Sequence, residues 1–168
     1  MSSLTIGGAF GIKQEPNAAM KALNSYDGTR EAMKRLLEAL IIDPARITDK
    51  LIDERQASAT RPGALEAFKA FGASIRRMNE NPLYKIQVTM KDALPELTKH
   101  IPTIFVWGEN DPFAVPATGK ALEKMLPDVK FYWVPGAGHQ VQTDKPAESA
   151  KIIREFMRME TPARKAAE

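Results

Sequence analysis

Two hydrophobic rhythms alternate along the chain. Between residues 16 and 78 apolar positions recur every three or four residues, the period of a helix face. Ala18–Leu23 reads as a short helical stretch. Thr29–Ile41 carries Met33, Leu36, Leu37, Leu40 and Ile41 on one face, and Asp43-Pro44 is expected to end it, because the residue before a proline is pushed out of the helical region. Thr48 reads as the N-cap of a helix over "DKLIDERQASA". Pro62-Gly63 breaks the chain, and beyond it Leu65, Phe68, Phe71, Ile75 and Met78 fall on one side of a further helix. "NENPLYKIQVTM" is expected to be irregular or extended, and Asp92–Lys99 a brief turn or helix.

The second rhythm is the continuous apolar run: Leu4–Ala9, Ile104–Trp107 and Val129–Val134. Short unbroken runs of this kind mark strands buried on both faces, as in parallel sheets. Each of the last two is followed by an amphipathic helix. "VPATGKALEKMLPD" turns Leu122, Met125 and Leu126 inward, and "KPAESAKIIREFMRM" carries Ala150, Ile153, Phe156 and Met157 on one stripe. Strand, helical block, strand, helix, strand, helix is the order of a right-handed parallel α/β layer. The helical block between the first two strands then reads as an insert or cap. This divides the chain into an α/β core, residues 1–15 and 92–168, and a cap, residues 16–91.

Composition narrows the classes. With 168 residues, 43% hydrophobic and 27% charged, the chain fits one soluble globular domain with an insert. A net charge of +3, with both signs interspersed, does not make a nucleic-acid surface. No apolar run is long enough for a bilayer, and "MSSLTIGGAFGI" lacks the basic start of a signal peptide. The expectation is a cytoplasmic protein with no membrane partner. The absence of cysteine excludes thiolate catalysis and disulfides. Two histidines without a ligand pattern suggest no metal, and no cofactor is expected: "PATGK" has Ala114 where a phosphate loop needs its first glycine.

In open parallel sheets chemistry sits beyond the carboxyl ends of the strands. Asp111 follows the strand Ile104–Trp107, and His139 follows Val129–Val134. They are separated by one strand–helix–strand unit, and adjacent strands lie about 4.8 Å apart, so the two loops can touch. Two readings of the pair stand on the residues alone. Asp111 is a turn former before Pro112 and His139 a loop histidine, or the carboxylate fixes the imidazole tautomer and leaves Nε2 as a base. Gly136 and Gly138 around Ala137 would let the second loop bend back over the sheet. His100 reads as a surface histidine, and Glu109 as a solvated carboxylate.

"PTIFVWGENDPFAVP" is similar to the strand and loop that carry the triad acid in α/β-hydrolases, and "FYWVPGAGHQVQTDKPAES" to their last strand, histidine loop and closing helix. "GGAFG" and the helical block after it resemble the cap of the meta-cleavage-product hydrolases and their esterase relatives. The resemblance runs from Leu4 to about Phe156. It implies a partial α/β-hydrolase fold, the last three parallel strands with flanking helices plus an inserted helical cap. It also implies Asp111 as triad acid, His139 as general base, and Arg55 in the cap as the contact for the acidic end of a small-molecule substrate. Arg55 reads equally well as an exposed arginine on an amphipathic helix. The activity implied is hydrolysis of an ester, or of a carbon–carbon bond in a small acidic diketone. Gln140, where the latter subgroup usually has tryptophan, shifts the balance toward ester hydrolysis.

The departure from the family is large. The nucleophile should precede the cap on a G-x-S-x-G elbow, and no such motif is present; "GASIR" lies within a helical pattern and ends in arginine. No HGGG-like oxyanion loop is present either. The chain is therefore expected to be inactive alone. Leu4–Ala9 should then be an unpaired edge that invites another chain, which predicts a homo-oligomer, a dimer included, or a complex with an amino-terminal partner chain. The alternatives are a non-catalytic ligand- or partner-binding module and one half of a split enzyme.

Overall fold

A computed structural model of the chain describes residues 4–6, 16–81 and 92–165. Three strands, β1 (Leu4–Ile6), β2 (Thr103–Gly108) and β3 (Lys130–Val134), form a parallel sheet in the order β1-β2-β3. Ile6 pairs with Phe105, and Trp107 with Trp133. Gly7–Ala9, expected to continue β1, lie outside the described residues.

The middle strand β2 is buried at all six positions, which is why its sequence is an unbroken apolar run. Its alternate side chains serve two different layers. Ile104 and Val106 pack with Val134, Ala137, Val141, Ile152 and Phe156. Phe105 and Trp107 pack with Leu94, Ala114, Leu122 and Leu126. The second layer is covered by α5 (Leu94–His100) and α6 (Pro116–Met125). A Cβ on Gly119 of α6 would come within 2.6 Å of the Trp133 ring and 2.9 Å of the Trp107 ring, so only glycine lets that helix lie flat on the indoles.

The first layer is covered by α7 (Val141–Asp144) and α8 (Pro146–Lys165). On α8 the buried row differs from the expected stripe. Ser149, Ile152 and Phe156 are buried, while Ile153 and Met157 are 37% and 45% exposed. Phe156 and Ile152 sit four residues apart, on one helical row, and together meet the sheet. Ile153 and Met157 stand one residue further round, about 100° away.

Residues 18–80 form α1 (Ala18–Asn24), α2 (Arg30–Glu38), α3 (Asp49–Ala59) and α4 (Ala64–Glu80). Their own core is Tyr26, Ala32, Met33, Leu36, Leu37, Ile41 and Ile52. Thr29 and Thr48 cap α2 and α3, accepting the N–H groups of Ala32 and Leu51 at 3.2 Å each. Arg30 holds Asp49 and Asp53 of α3 at 2.5 and 2.6 Å.

Two expectations change here. Helix α2 ends at Glu38, before the Asp43-Pro44 break, because Leu40 O and the N–H groups of Ile42 and Asp43 are bonded to the far end of the chain (below). Phe71 is 53% exposed, since the cluster against α4 stops at Leu65 and Phe68, where Phe68 meets Tyr26 edge-on at 6.2 Å. The side chains of Ile75 and Met78, and most of "NENPLYKIQVTM", lie outside the described residues.

Candidate active site

The loops after β2 and β3 are laced together at the carboxyl end of the sheet. The Glu109 N–H donates to Val134 O at 3.1 Å and the Asn110 N–H to Ala137 O at 3.0 Å. The approach is so close that a Cβ on Gly108 would fall 2.3 Å from Gly138 O and 2.4 Å from Ala137 O. Gly136 takes the left-handed conformation, φ 64°, that a side chain would strain.

Asp111 lies in the first loop, 4% exposed. One carboxylate oxygen, Oδ1, accepts the N–H groups of Phe113 and Ala114, each at 2.8 Å. Its other oxygen, Oδ2, is 3.0 Å from Nδ1 of His139. The aspartate is therefore a turn former and an imidazole partner together, and the two readings open in the sequence are the two oxygens of one group. A carboxylate only accepts, so Nδ1 of His139 carries a proton and donates, and in the neutral ring the lone pair then lies on Nε2. The ring is otherwise held by Phe113, whose centroid lies 4.7 Å away. The acid loop is fixed in turn from both sides: Trp107 Nε1 donates to Ala114 O at 2.8 Å, and Asn17 Nδ2 to Phe113 O at 2.9 Å. His139 also lines a cavity with Val106, Gln140, Val141, Ser149 and Ile153.

No protein-family model matches the chain. It is 26% identical over 157 residues to 2-hydroxy-6-oxo-6-(2'-aminophenyl)hexa-2,4-dienoic acid hydrolase of Metapseudomonas resinovorans, a match that covers 94% of this chain and 51% of that protein. The crystal structure of a meta-cleavage product hydrolase from Pseudomonas fluorescens superposes with a TM-score of 0.75 at 19% identity, over 94% of this chain and 56% of the other. A thermophilic esterase from Thermogutta terrifontis superposes with a TM-score of 0.58 at 19% identity, over 89% and 53%. The chain spans about half the length of the curated relatives it matches. It has the fold of the carboxyl-terminal half of an α/β hydrolase. The motifs around Asp111 and His139 implied that fold, and "GGAFG" with the helical block after it implied the resemblance to meta-cleavage-product hydrolases.

Sequence reasoning missed one residue beside this pair. Asp144, at the end of α7, is 2% exposed. Its Oδ1 accepts the N–H groups of Ile42 and Asp43 at 3.1 and 3.0 Å, and its Oδ2 accepts the Gly138 N–H at 2.8 Å. In the other direction the N–H groups of His139 and Gln140 donate to Leu40 O, at 2.9 and 3.3 Å. These bonds occupy the backbone just past α2, which is why that helix stops early. The only trace in the sequence is an aspartate just before Lys145-Pro146.

The other expected residues lie apart from the pair. Arg55 is on the exposed side of α3 and joins neither Asp111 nor His139 by a hydrogen bond or ion pair. His100 is a surface residue, its side chain 70% exposed and 2.9 Å from Glu96, whose carboxyl is held below the usual range by Lys99 and His100. Glu109 is exposed. No group of three metal-ligating side chains occurs among the described residues, and no described helix is long and apolar enough to cross a membrane.

Proposed function

We propose that this chain supplies the acid, the base and the cap of a serine-type α/β hydrolase that cleaves an ester, or a carbon–carbon bond of a small acidic diketone. The observation that carries this reading is the 3.0 Å contact between His139 Nδ1 and a buried Asp111 whose other oxygen is already tied to two backbone N–H groups. In that role Nε2 takes the proton of an attacking hydroxyl and returns it to the leaving group, while Asp111 stabilises the imidazolium between the two transfers. Residues 16–91 act as the cap and residues 1–15 and 92–168 as the core. Of the two cations on α3, Lys50 lies 3.8 Å from Glu54, whereas Arg55 has no carboxylate partner among the described residues. That supports Arg55 as the contact for an acidic substrate end, where a planar guanidinium binds a carboxylate in two places.

The hydroxyl comes from elsewhere, because no G-x-S-x-G elbow occurs in these residues. A partner or preceding segment that adds a strand beside β1 would bring it near His139. The same absence supports a second reading, a hydrolase-like module that binds a ligand through the cap without turning it over.

The test joins the chain to a nucleophile-bearing amino-terminal half of a meta-cleavage-product hydrolase and measures turnover of a generic ester. The chain alone should be inert. The joined protein should turn over, and His139→Ala should lower its rate by about 10²–10⁴-fold. Turnover by the chain alone that His139→Ala abolishes would sink the missing-nucleophile reading. Ligand binding with no turnover in any pairing would establish the second reading.

A further inference from the structure

We infer that Asp144 is a positioning residue for His139: it clamps the histidine loop to the segment that follows α2, so that this segment sets where the imidazole stands. The inference rests on reading His139 as a base, and its test needs no turnover. Asp144 is buried to 2% exposure and accepts three backbone N–H groups, from Ile42, Asp43 and Gly138. It makes no ion pair with a described residue, and its hydrogen-bond partners among the described residues are all peptide N–H groups. The chemistry needs both carboxylate oxygens, because one faces residues 42–43 and the other faces Gly138. An amide of the same shape has one acceptor and would have to abandon one side.

The reverse bonds complete the clamp. Leu40 O accepts the N–H groups of His139 and Gln140, so the peptide units on both sides of the histidine Cα are anchored to residues 40–43. Space is as tight as the bonding: a Cβ on Gly138 would meet Leu40 O at 2.8 Å and the Ile42 Cγ2 at 2.9 Å. The imidazole itself is held from the opposite loop, by the Asp111 carboxylate and by the Phe113 ring. With the clamp released, the loop backbone drifts, and the 3.0 Å bond to Asp111 lengthens or exchanges with water.

Nitrogen-15 NMR of the two imidazole rings in the full chain tests this, with His100 on the surface as internal reference. In the parent, His139 should show the Nδ1–H form with a ring proton slow to exchange with water. In Asp144→Asn that proton should exchange about tenfold faster or more, as expected for loss of a charge-assisted hydrogen bond, with His100 unchanged. Gly138→Ala, which presses on the same contact, should act in the same direction. Ile152→Val, which loosens the core under the loop without touching the clamp, should leave the ring proton as in the parent. A His139 ring unaffected by both clamp variants overturns the inference, and so does an equal change in Ile152→Val. A parent ring without Nδ1–H overturns the base reading as well as this one.

Discussion

Two loops leave the carboxyl end of the same sheet, and each leads to a buried aspartate, yet the two carboxylates do different work. Asp111 gives one oxygen to the backbone of its own turn and the other to an imidazole. Asp144 gives both oxygens to backbone, and two of its three donors lie about a hundred residues away, at Ile42 and Asp43. The first is local with one reactive outlet. The second is long-range with none. Burial of a carboxylate is thus no sign of catalysis by itself; what matters is whether a lone pair is left for a group that can carry a proton.

The sharpest way to separate the two is to remove each. Asp144→Ala leaves three N–H groups without their acceptor, the buried one of Gly138 and the half-buried ones of Ile42 and Asp43, at about 1–3 kcal/mol for each buried group left unsatisfied and less where water can reach, so a loss of about 3 kcal/mol in urea unfolding is expected. Asp111→Ala should cost less, because it strips two backbone N–H groups of their acceptor, that of the buried Ala114 and that of the half-buried Phe113, where Asp144→Ala strips three. It should nevertheless abolish the Nδ1–H form of His139. Equal stability losses would break the contrast. Next in size, Gly108→Ala wedges a methyl between the loops, where carbonyl oxygens would stand 2.3 and 2.4 Å away. Overpacking of this kind costs about 1–3 kcal/mol, and the unfolding midpoint should fall with the slope unchanged.

The smallest effect lies at the helical block and leaves both loops untouched. Arg30 holds Asp49 below its ordinary value of 3.8, chiefly through the hydrogen bond between them. A depressed folded value means the stabilisation is present above the unfolded value and is lost as the pH falls through the folded one. Acid titration by circular dichroism should therefore show Arg30→Ala less helical than the parent above about pH 4, with the two curves meeting below it. Persistence of the difference at the acid end would locate Arg30's contribution in packing instead.

What could be read from the sequence follows the reach of each signal. β2 announced itself because all its side chains are buried, which leaves an unbroken apolar run. The places of Asp111 and His139 followed from strand ends, and adjacency in a parallel sheet brought them within reach. Asp144 stayed hidden because its partners are all backbone groups, two of them 101 and 102 residues away, and backbone carries no residue identity. The early end of α2 was hidden for the same reason: helix signals stop at Asp43-Pro44, but Leu40 O and the N–H groups of Ile42 and Asp43 are claimed by tertiary bonds first. On α8 the expected Phe156 is buried, but Ile152 takes the place expected for Ile153, since the two are equally apolar and only packing decides which one faces the sheet.

Trp107 is fully buried, and its indole N–H donates to Ala114 O, in the loop that carries Asp111. The other of the chain's two tryptophans, Trp133, stands 5.9 Å from it on the next strand. The molecule thus carries its own optical gauge of the acid loop. Undocking that loop would free the Trp107 indole and redden its emission, so the seating of the acid can be followed by intrinsic fluorescence with Trp133→Phe and no label.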